Sequence, residues 1–364
     1  MIPSPMPSRV HLCRVPDSQR KCWPTAVEKL FDAARPLSFV QRKDLAAIKV
    51  HVGEPPLRTM LPPEVAGVVA ARLRAAGARP FFTDTAVLYT GPRSSGPEHA
   101  EVAARHGFTL ERAGAVFVPA DGVEGNLEVS VEIPGRHFSK VGVAEAMAHA
   151  RCAVVVSHAT GHLATGYGAT LKNLGMGCAS RKGKLAQHSD THPFVKASRC
   201  TACGECIDHC PSGALAPGEG ARAELDDAAC IGCGECIAQC SSDAIGFRWD
   251  SSSRGLQEKM VEHALGVVQA LAHRIVYVLG LVDITRDCDC LGKGSDRVAK
   301  DIGFALSSDP VALDQAAMDL VASASGKRID QLSYPEHDGT IQLAYAEQLG
   351  LGARAYELVE VGSL

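Results

Sequence analysis

The chain has 364 residues, 46% of them hydrophobic and 21% charged, with a formal net charge of −4. That length supports two or three domains with at least one sizeable core, and the composition is ordinary for a globular protein. No basic block neutralises phosphates, which argues against nucleic-acid binding, and no apolar run is long enough to span a bilayer.

In chain order, residues 1–10 lack the apolar core of a secretory signal. Residues 46–52 (A-I-K-V-H-V with its preceding alanine) predict a buried strand, and residues 62–76 an amphipathic helix that stops at Gly77. Residues 80–84 predict a short strand, and residues 152–157 (C-A-V-V-V-S) another buried one. Residues 260–272 read as the helix feeding a strand at 275–281. Ser308 or Asp309 caps a later helix with Pro310 at its first position, and Asp314 compensates the dipole of its first turn or reaches the site. Alternation of strand and helix predicts an α/β body with parallel-rich sheets in two lobes, whose ligands bind beyond the strands' carboxyl ends.

The strand at 152–157 leads into a dense polar string: Ser157, His158, Thr160, Gly161, His162, Thr165, Gly166, Gly168, Lys172, Asn173, Gly175, Gly177, Cys178 and then His188. Glycines at this density let backbone approach a ligand closely. Histidines and a lysine beside them suit acid–base chemistry or metal binding, so His158, His162 and Lys172 are candidate catalytic residues. A surface loop with solvated histidines is the plainer alternative for any one of them. Lys49, His51 and Glu54 border the first strand and could line the same cleft. Cys288 and Cys290, one residue apart after the strand at 275–281, could bind a soft metal or act as a redox or nucleophilic pair. Cys178, His162 or His188 could complete such a site; Cys13 and Cys22 read as structural.

Between these parts lies a duplication. Cys200-Thr-Ala-Cys203-Gly-Glu-Cys206-Ile-Asp-His-Cys210 recurs as Cys230-Ile-Gly-Cys233-Gly-Glu-Cys236-Ile-Ala-Gln-Cys240, with seven of eleven residues identical. Two copies of C-x2-C-x2-C-x3-C resemble the bacterial ferredoxins, in which each repeat gives three thiolates to one [4Fe–4S] cluster and its fourth to the other. The expected ligands are Cys200, Cys203, Cys206 and Cys240 for one cluster and Cys230, Cys233, Cys236 and Cys210 for the other. Zinc sites and disulfides use pairs rather than two quartets. Turn-forming runs at 189–193 and 250–255 flank this part, so the predicted domains are 1–189, an inserted α+β ferredoxin-like domain at 190–250, and 251–364. Clusters need a reducing compartment, which points to the cytoplasm.

The polar string, S-H-x-x-G-H-x-x-T-G-x-G-x-x-L-K-N-L-G-M-G, resembles the family of uncharacterised proteins called DUF362. Other marks of that family are K-V-H-V-G-E at Lys49, D-T-x-x-L-Y-x-G-x-R ending at Arg93, Cys288-Asp-Cys290, D-I-G at Asp301 and S-D-P-V-A-L-D-Q-A from Ser308. The spacing of His162, Lys172 and His188 is also similar to that in lactate racemase. That resemblance implies an acid–base His162, a Lys172 that carries a nickel-pincer nucleotide cofactor, and a metal-ligating His188. It further implies phosphate or carboxylate binding by Glu54 and Arg58 and by Arg93, although Pro92 stands where the racemase has its second catalytic histidine. The sequence therefore points to an iron–sulfur oxidoreductase acting on a small-molecule substrate, with an additional metal or metallocofactor implied for the α/β site. The alternatives are an electron-transfer protein serving a redox partner protein, and a metallocofactor enzyme related to the racemase.

Overall fold

Strands β1 (Ser8–Arg14), β2 (Leu45–Lys49), β3 (Arg79–Asp84), β4 (Phe117–Pro119), β5 (Cys152–His158), β6 (Ile275–Leu281), β7 (Gly303–Ser307) and β8 (Tyr356–Ser363) form one sheet in a computed structural model of the chain. The structure describes residues 7–56, 59–88, 91–188, 193–210, 212–230, 235–242, 244–247, 253–292 and 295–364. The order across this eight-stranded sheet is β8-β1-β7-β6-β5-β2-β3-β4. Only β7 runs antiparallel to its neighbours, β1 and β6; every other pairing is parallel.

The two central strands explain why the sheet is buried on both sides. Ala153, Val155, Ile275, Tyr277 and Leu279 face one apolar core, while Cys152, Val154, Val156, Val276 and Val278 face the other. That is the period-two alternation of a pleated strand, with apolar residues at both phases because helices cover both faces. Two cores therefore do not mean two lobes. The expected two-lobed body is one sheet, because β5 from before the cysteine repeats pairs directly with β6 from after them, Val155 opposite Tyr277.

The cysteine-rich segment has a small core of its own, built on Cys206, Leu215, Ala223, Cys236 and Ile245. Two antiparallel pairs frame it: Pro193–Val195 with Ile245–Phe247, which brings the segment's two ends together, and the hairpin Leu215–Pro217 with Ala223–Leu225. Each repeat places a short helix in it, Glu205–Asp208 and Glu235–Gln239.

Helix α1 (Trp23–Ala34) and helix α2 (Pro63–Ala75) bury their apolar stripes in the second core. On the other face lie α3 (Thr170–Gly175), α4 (Ser253–Ala270) and α5 (Pro310–Ser325). The α4 helix begins earlier than residues 260–272 imply, and Ser253, Arg254 and Gly255 are already helical rather than a break. Apolar periodicity missed the stretch before residue 260 because it buries Gln257, Glu258 and Lys259, polar groups with partners of their own, Glu258 Oε2 lying 2.8 Å from His137 Nε2. The Glu262 carboxylate accepts the backbone amides of Arg136, His137 and Phe138 at 2.7, 2.9 and 2.8 Å and the Tyr345 hydroxyl at 2.6 Å. Asp309 caps α5 as its sequence implies, accepting the amides of Val311 and Ala312 at 2.8 and 3.0 Å.

Candidate functional site

Parallel β2, β3 and β5 end at the same edge of the sheet, and each leaves a polar residue there: Lys49, Asp84 and His158. Lys49 is fully buried; its Nζ donates to Asp84 Oδ1 at 2.9 Å, to Asn173 Oδ1 at 2.7 Å and to the Val50 carbonyl at 2.8 Å. All three protons of the ammonium are thereby used. Asp84 also lies 3.6 Å from the Arg93 guanidinium and 3.5 Å from His99. Burial works against its charge, but Lys49 and then His99 outweigh it and hold the carboxyl well below the usual range.

Glu54 and Arg93, both expected to bind a cofactor, bind each other. Arg93 Nε donates to Glu54 Oε2 at 2.7 Å, with both side chains buried. Arg58, the third member of that set, lies outside the described residues.

His158 is not placed for acid–base work. Its Nδ1 faces Asp289 Oδ2 at 2.8 Å and its Nε2 faces the Val282 carbonyl at 2.7 Å. A ring that meets an acceptor at each nitrogen donates twice and is therefore the imidazolium. Burial pushes His158 down, but the charge and hydrogen bond of Asp289 prevail and raise it. In return Asp289 falls to about 2, against burial, chiefly because of His158. The pair anchors the 288–290 turn to the end of β5 and leaves no ring nitrogen for a substrate.

His162, Lys172 and His188 influence one another's charge. Burial depresses His162 most, and the charges of Lys172 and His188 depress it further, so the imidazole is neutral. His188 falls to about 4 through burial first and Lys172 second. Lys172 drops to about 8: burial lowers it, Asp289 opposes, and Lys49 and Arg93 lower it again. Its stem crosses Gly168, where an added Cβ would sit 2.6 Å from the lysine Cδ. Among the described residues its Nζ donates no hydrogen bond. A half-buried amine of lowered basicity has a larger neutral fraction at pH 7 than an ordinary lysine.

Cys288 and Cys290 are joined as a disulfide, and their sulfurs lie within 4.8 Å of a ring nitrogen of His162. Neither other candidate partner belongs to that group. Cys178 is buried in the sheet's first core, its thiol pushed to about 12 by burial, and His188 is not among the three. Cys13 is buried in the second core, and Cys22 donates to the Gln19 carbonyl at 3.0 Å, as structural residues do. Asp314 does not reach the site either; it caps another helix, as argued below. Sequence reasoning passed over Asp84, His99 and Asp289 as site residues. The position of Asp84 at the carboxyl end of a predicted strand was the available signal, as was that of Asp289 between the two cysteines.

In the cysteine-rich segment, Cys200, Cys203, Cys206 and Cys240 line one cavity together with Val195 and Ile245. Burial raises the Cys206 thiol, and Cys240, Cys203 and Cys200 raise it further, so the second repeat's last cysteine faces the first three of the first repeat. Cys210 and Cys236 pack around the same small core. Cys230 is half-buried, and Cys233 lies outside the described residues. Helix Arg181–Gln187, which ends at His188, packs against helix Glu235–Gln239, which carries Cys236. No described helix is long and apolar enough to cross a membrane.

These features define a mixed α/β protein with a large parallel-rich sheet and a buried polar site at that sheet's carboxyl edge. The chain belongs to DUF362, a family described as a domain of unknown function, whose model matches residues 46–319. No curated protein matches it. Among solved structures, the lactate racemase apoprotein from Thermoanaerobacterium thermosaccharolyticum is weakly similar, with 13% identity and a TM-score of 0.37 over 75% of this chain and 50% of that one. A protein from Thermotoga maritima is similar at 8% identity and a TM-score of 0.44, over 82% of this chain and 58% of that one. The chain thus matches only about half the length of each.

Proposed function

We propose that this protein is an iron–sulfur oxidoreductase whose substrate reacts beside Lys172, His162 and His188, the cysteine repeats holding two [4Fe–4S] clusters that, when bound, supply single electrons. What supports this reading is that Lys172 lies near enough to His162 and His188 for its charge to depress both imidazoles, which burial already lowers, with Lys172 on the helix that follows the 160–168 hairpin. A surface that merely docked a redox partner would need no such group. The cysteine arrangement fits the clusters: the fourth thiol of one quartet, Cys240, comes from the opposite repeat, as the ferredoxin pattern requires. The contact between helices Arg181–Gln187 and Glu235–Gln239 joins the cysteine segment to the helix that ends at His188. Within the site, Lys172 is suited to hold an anionic group of the substrate, and His162 or His188 to accept a proton from it.

A second reading is favoured by the same three residues. Their meeting is what a metallocofactor enzyme of the racemase type would need, with Lys172 as the cofactor's anchor.

Metal analysis of anaerobically purified protein separates these readings. About eight irons per chain, falling to about half in Cys203→Ser, supports the clusters. An iron count unchanged by that substitution sinks the ligand assignment. Lys172→Ala should keep the iron and lose turnover; a covalent mass addition on the Lys172 peptide would instead favour the second reading.

A further inference from the structure

The hairpin strand Thr160–His162 lies against the segment that follows β6, and one glycine permits it. The Gly161 amide donates to the Thr285 carbonyl at 2.8 Å, and a Cβ at Gly161 would meet the Arg286 carbonyl oxygen at 2.0 Å and Ser333 Cβ at 2.4 Å. The opposing segment is held in turn: the Asp287 amide donates to Ser295 Oγ at 2.8 Å, the Thr285 hydroxyl to the Asp287 carbonyl at 2.7 Å, and the Tyr334 hydroxyl to the Asp287 carboxylate. This docking sets His162 beside Cys288 and Cys290, so that three ligand atoms fall within 4.8 Å of one another. His162 Nδ1 lies 2.8 Å from the Thr165 hydroxyl, which itself donates to the Tyr167 carbonyl at 2.8 Å, and the Thr165 and Ala164 amides reach the same nitrogen at 3.2 and 3.4 Å, so the ring's orientation is fixed.

We propose that the reduced Cys288 and Cys290 thiolates and the His162 imidazole bind one thiophilic metal ion of the zinc class, leaving a fourth coordination position for solvent or substrate. Two thiolates and one imidazole with an open position form a ligand set known for catalytic zinc, whereas structural zinc sites are closed by four protein ligands. The neutral imidazole offers a lone pair, and the metal displaces two thiol protons to solvent. The disulfide is the oxidised form of the same pair. An external phosphine or thiol reductant supplies two electrons and two protons accompany them, breaking the S–S bond and giving the two thiols that then bind.

The inference does not rest on the iron–sulfur reading, and the experiment keeps the two apart. Full-length protein is reduced anaerobically with a phosphine, loaded with one equivalent of zinc and freed of excess. Zinc-edge X-ray absorption and the iron count are then taken on the same sample. The expected result is one retained zinc with two sulfur ligands at about 2.3 Å and at least one imidazole nitrogen at about 2.0–2.1 Å. Cys288→Ser and Cys290→Ser should each remove one sulfur ligand, and His162→Ala the imidazole. Each should weaken zinc binding by on the order of 100-fold, since outer partners alone are worth about 10–100-fold. If one variant fails to fold, either of the others carries the test. Zinc held by four sulfurs, zinc retained unchanged in Cys288→Ser, or no zinc retained by reduced wild-type protein would overturn the inference. The iron count decides the cluster reading whichever of these is found.

Discussion

The Asp314 carboxylate caps the helix that carries Lys172, accepting the Thr170 amide at 2.9 Å, with its other oxygen on the Leu171 amide at 2.9 Å. The helix has Ala169 at its N-cap, which has no side-chain acceptor to give, so a residue 144 positions away serves the first two amides. The position of Lys172, two residues into this helix, depends on a carboxylate in α5.

Asp314→Ala leaves two buried amides without their acceptor. The cost should be about 1–3 kcal/mol, the usual penalty for an orphaned buried group or a lost cap, while Asp314→Asn keeps one acceptor oxygen and costs less. Urea unfolding of both variants checks the order. An alanine variant as stable as wild type would mean that the amides find water instead.

Lys49 and Asp84 make the second prediction. Their contact is 2.9 Å, with neither side chain more than 4% exposed, so breaking it leaves a buried charge behind. Lys49→Met should destabilise the protein by about 3–5 kcal/mol. Replacing both residues, as Lys49→Met with Asp84→Leu, should recover part of that loss, since an apolar pair can take the place of a buried ion pair. Arg93 and His99, 3.6 and 3.5 Å from Asp84, would limit the recovery by losing their own partner. A double variant no better than the single one would show that Asp84 serves those two residues more than Lys49.

The strands around this site were legible because their signal is local. The runs at 152–156 and 275–281 carry no charged residue and are buried throughout, and both proved to be central strands within one residue of their expected ends. That Lys172 depresses the basicity of His162 and His188 agrees with their closeness within a single stretch of sequence. What the sequence could not convey is which polar residue satisfies which. Glu54 and Arg93 are 39 positions apart and His158 and Asp289 are 131 apart, and each pair forms only once the strands align. Asp314 looked like a first-turn residue of its own helix, but it is the fifth residue of α5, past the first turn, and its carboxylate caps another helix.

Gly161 supplies the third prediction. Its Cβ would collide with a backbone oxygen at 2.0 Å, which cannot move aside as a flexible side chain can. Gly161→Ala should therefore cost more than the roughly 1–3 kcal/mol of ordinary overpacking, or shift the 160–162 strand away from residues 285–288. Either result should make Cys288 and Cys290, once reduced, react faster with a thiol reagent than in wild type. Unchanged thermal unfolding together with unchanged thiol reactivity would show that the hairpin does not hold the pair in place.

The last prediction concerns the protonation of Lys172. Burial first, then Lys49 and Arg93, bring its amine from the ordinary 10.5 to about 8, with Asp289 opposing. At pH 7 roughly one amine in ten is then neutral, against fewer than about one in a thousand for an ordinary lysine. Labelling of Lys172 by an amine-acylating reagent should rise about tenfold per pH unit below 8 and level off above it, while exposed lysines keep rising. Stability has the matching sign. Between pH 8 and 10.5 the unfolded chain holds the proton that the folded chain has lost, so this residue's contribution grows more favourable as pH rises through that window. Lys172→Met removes the titration, so the stability difference between wild type and variant should shift towards wild type from pH 8 to 10.5 and stay flat below it. A labelling profile that keeps climbing to pH 10 would mean that the amine is solvated, and with it would go the case for Lys172 as the reactive centre of the site.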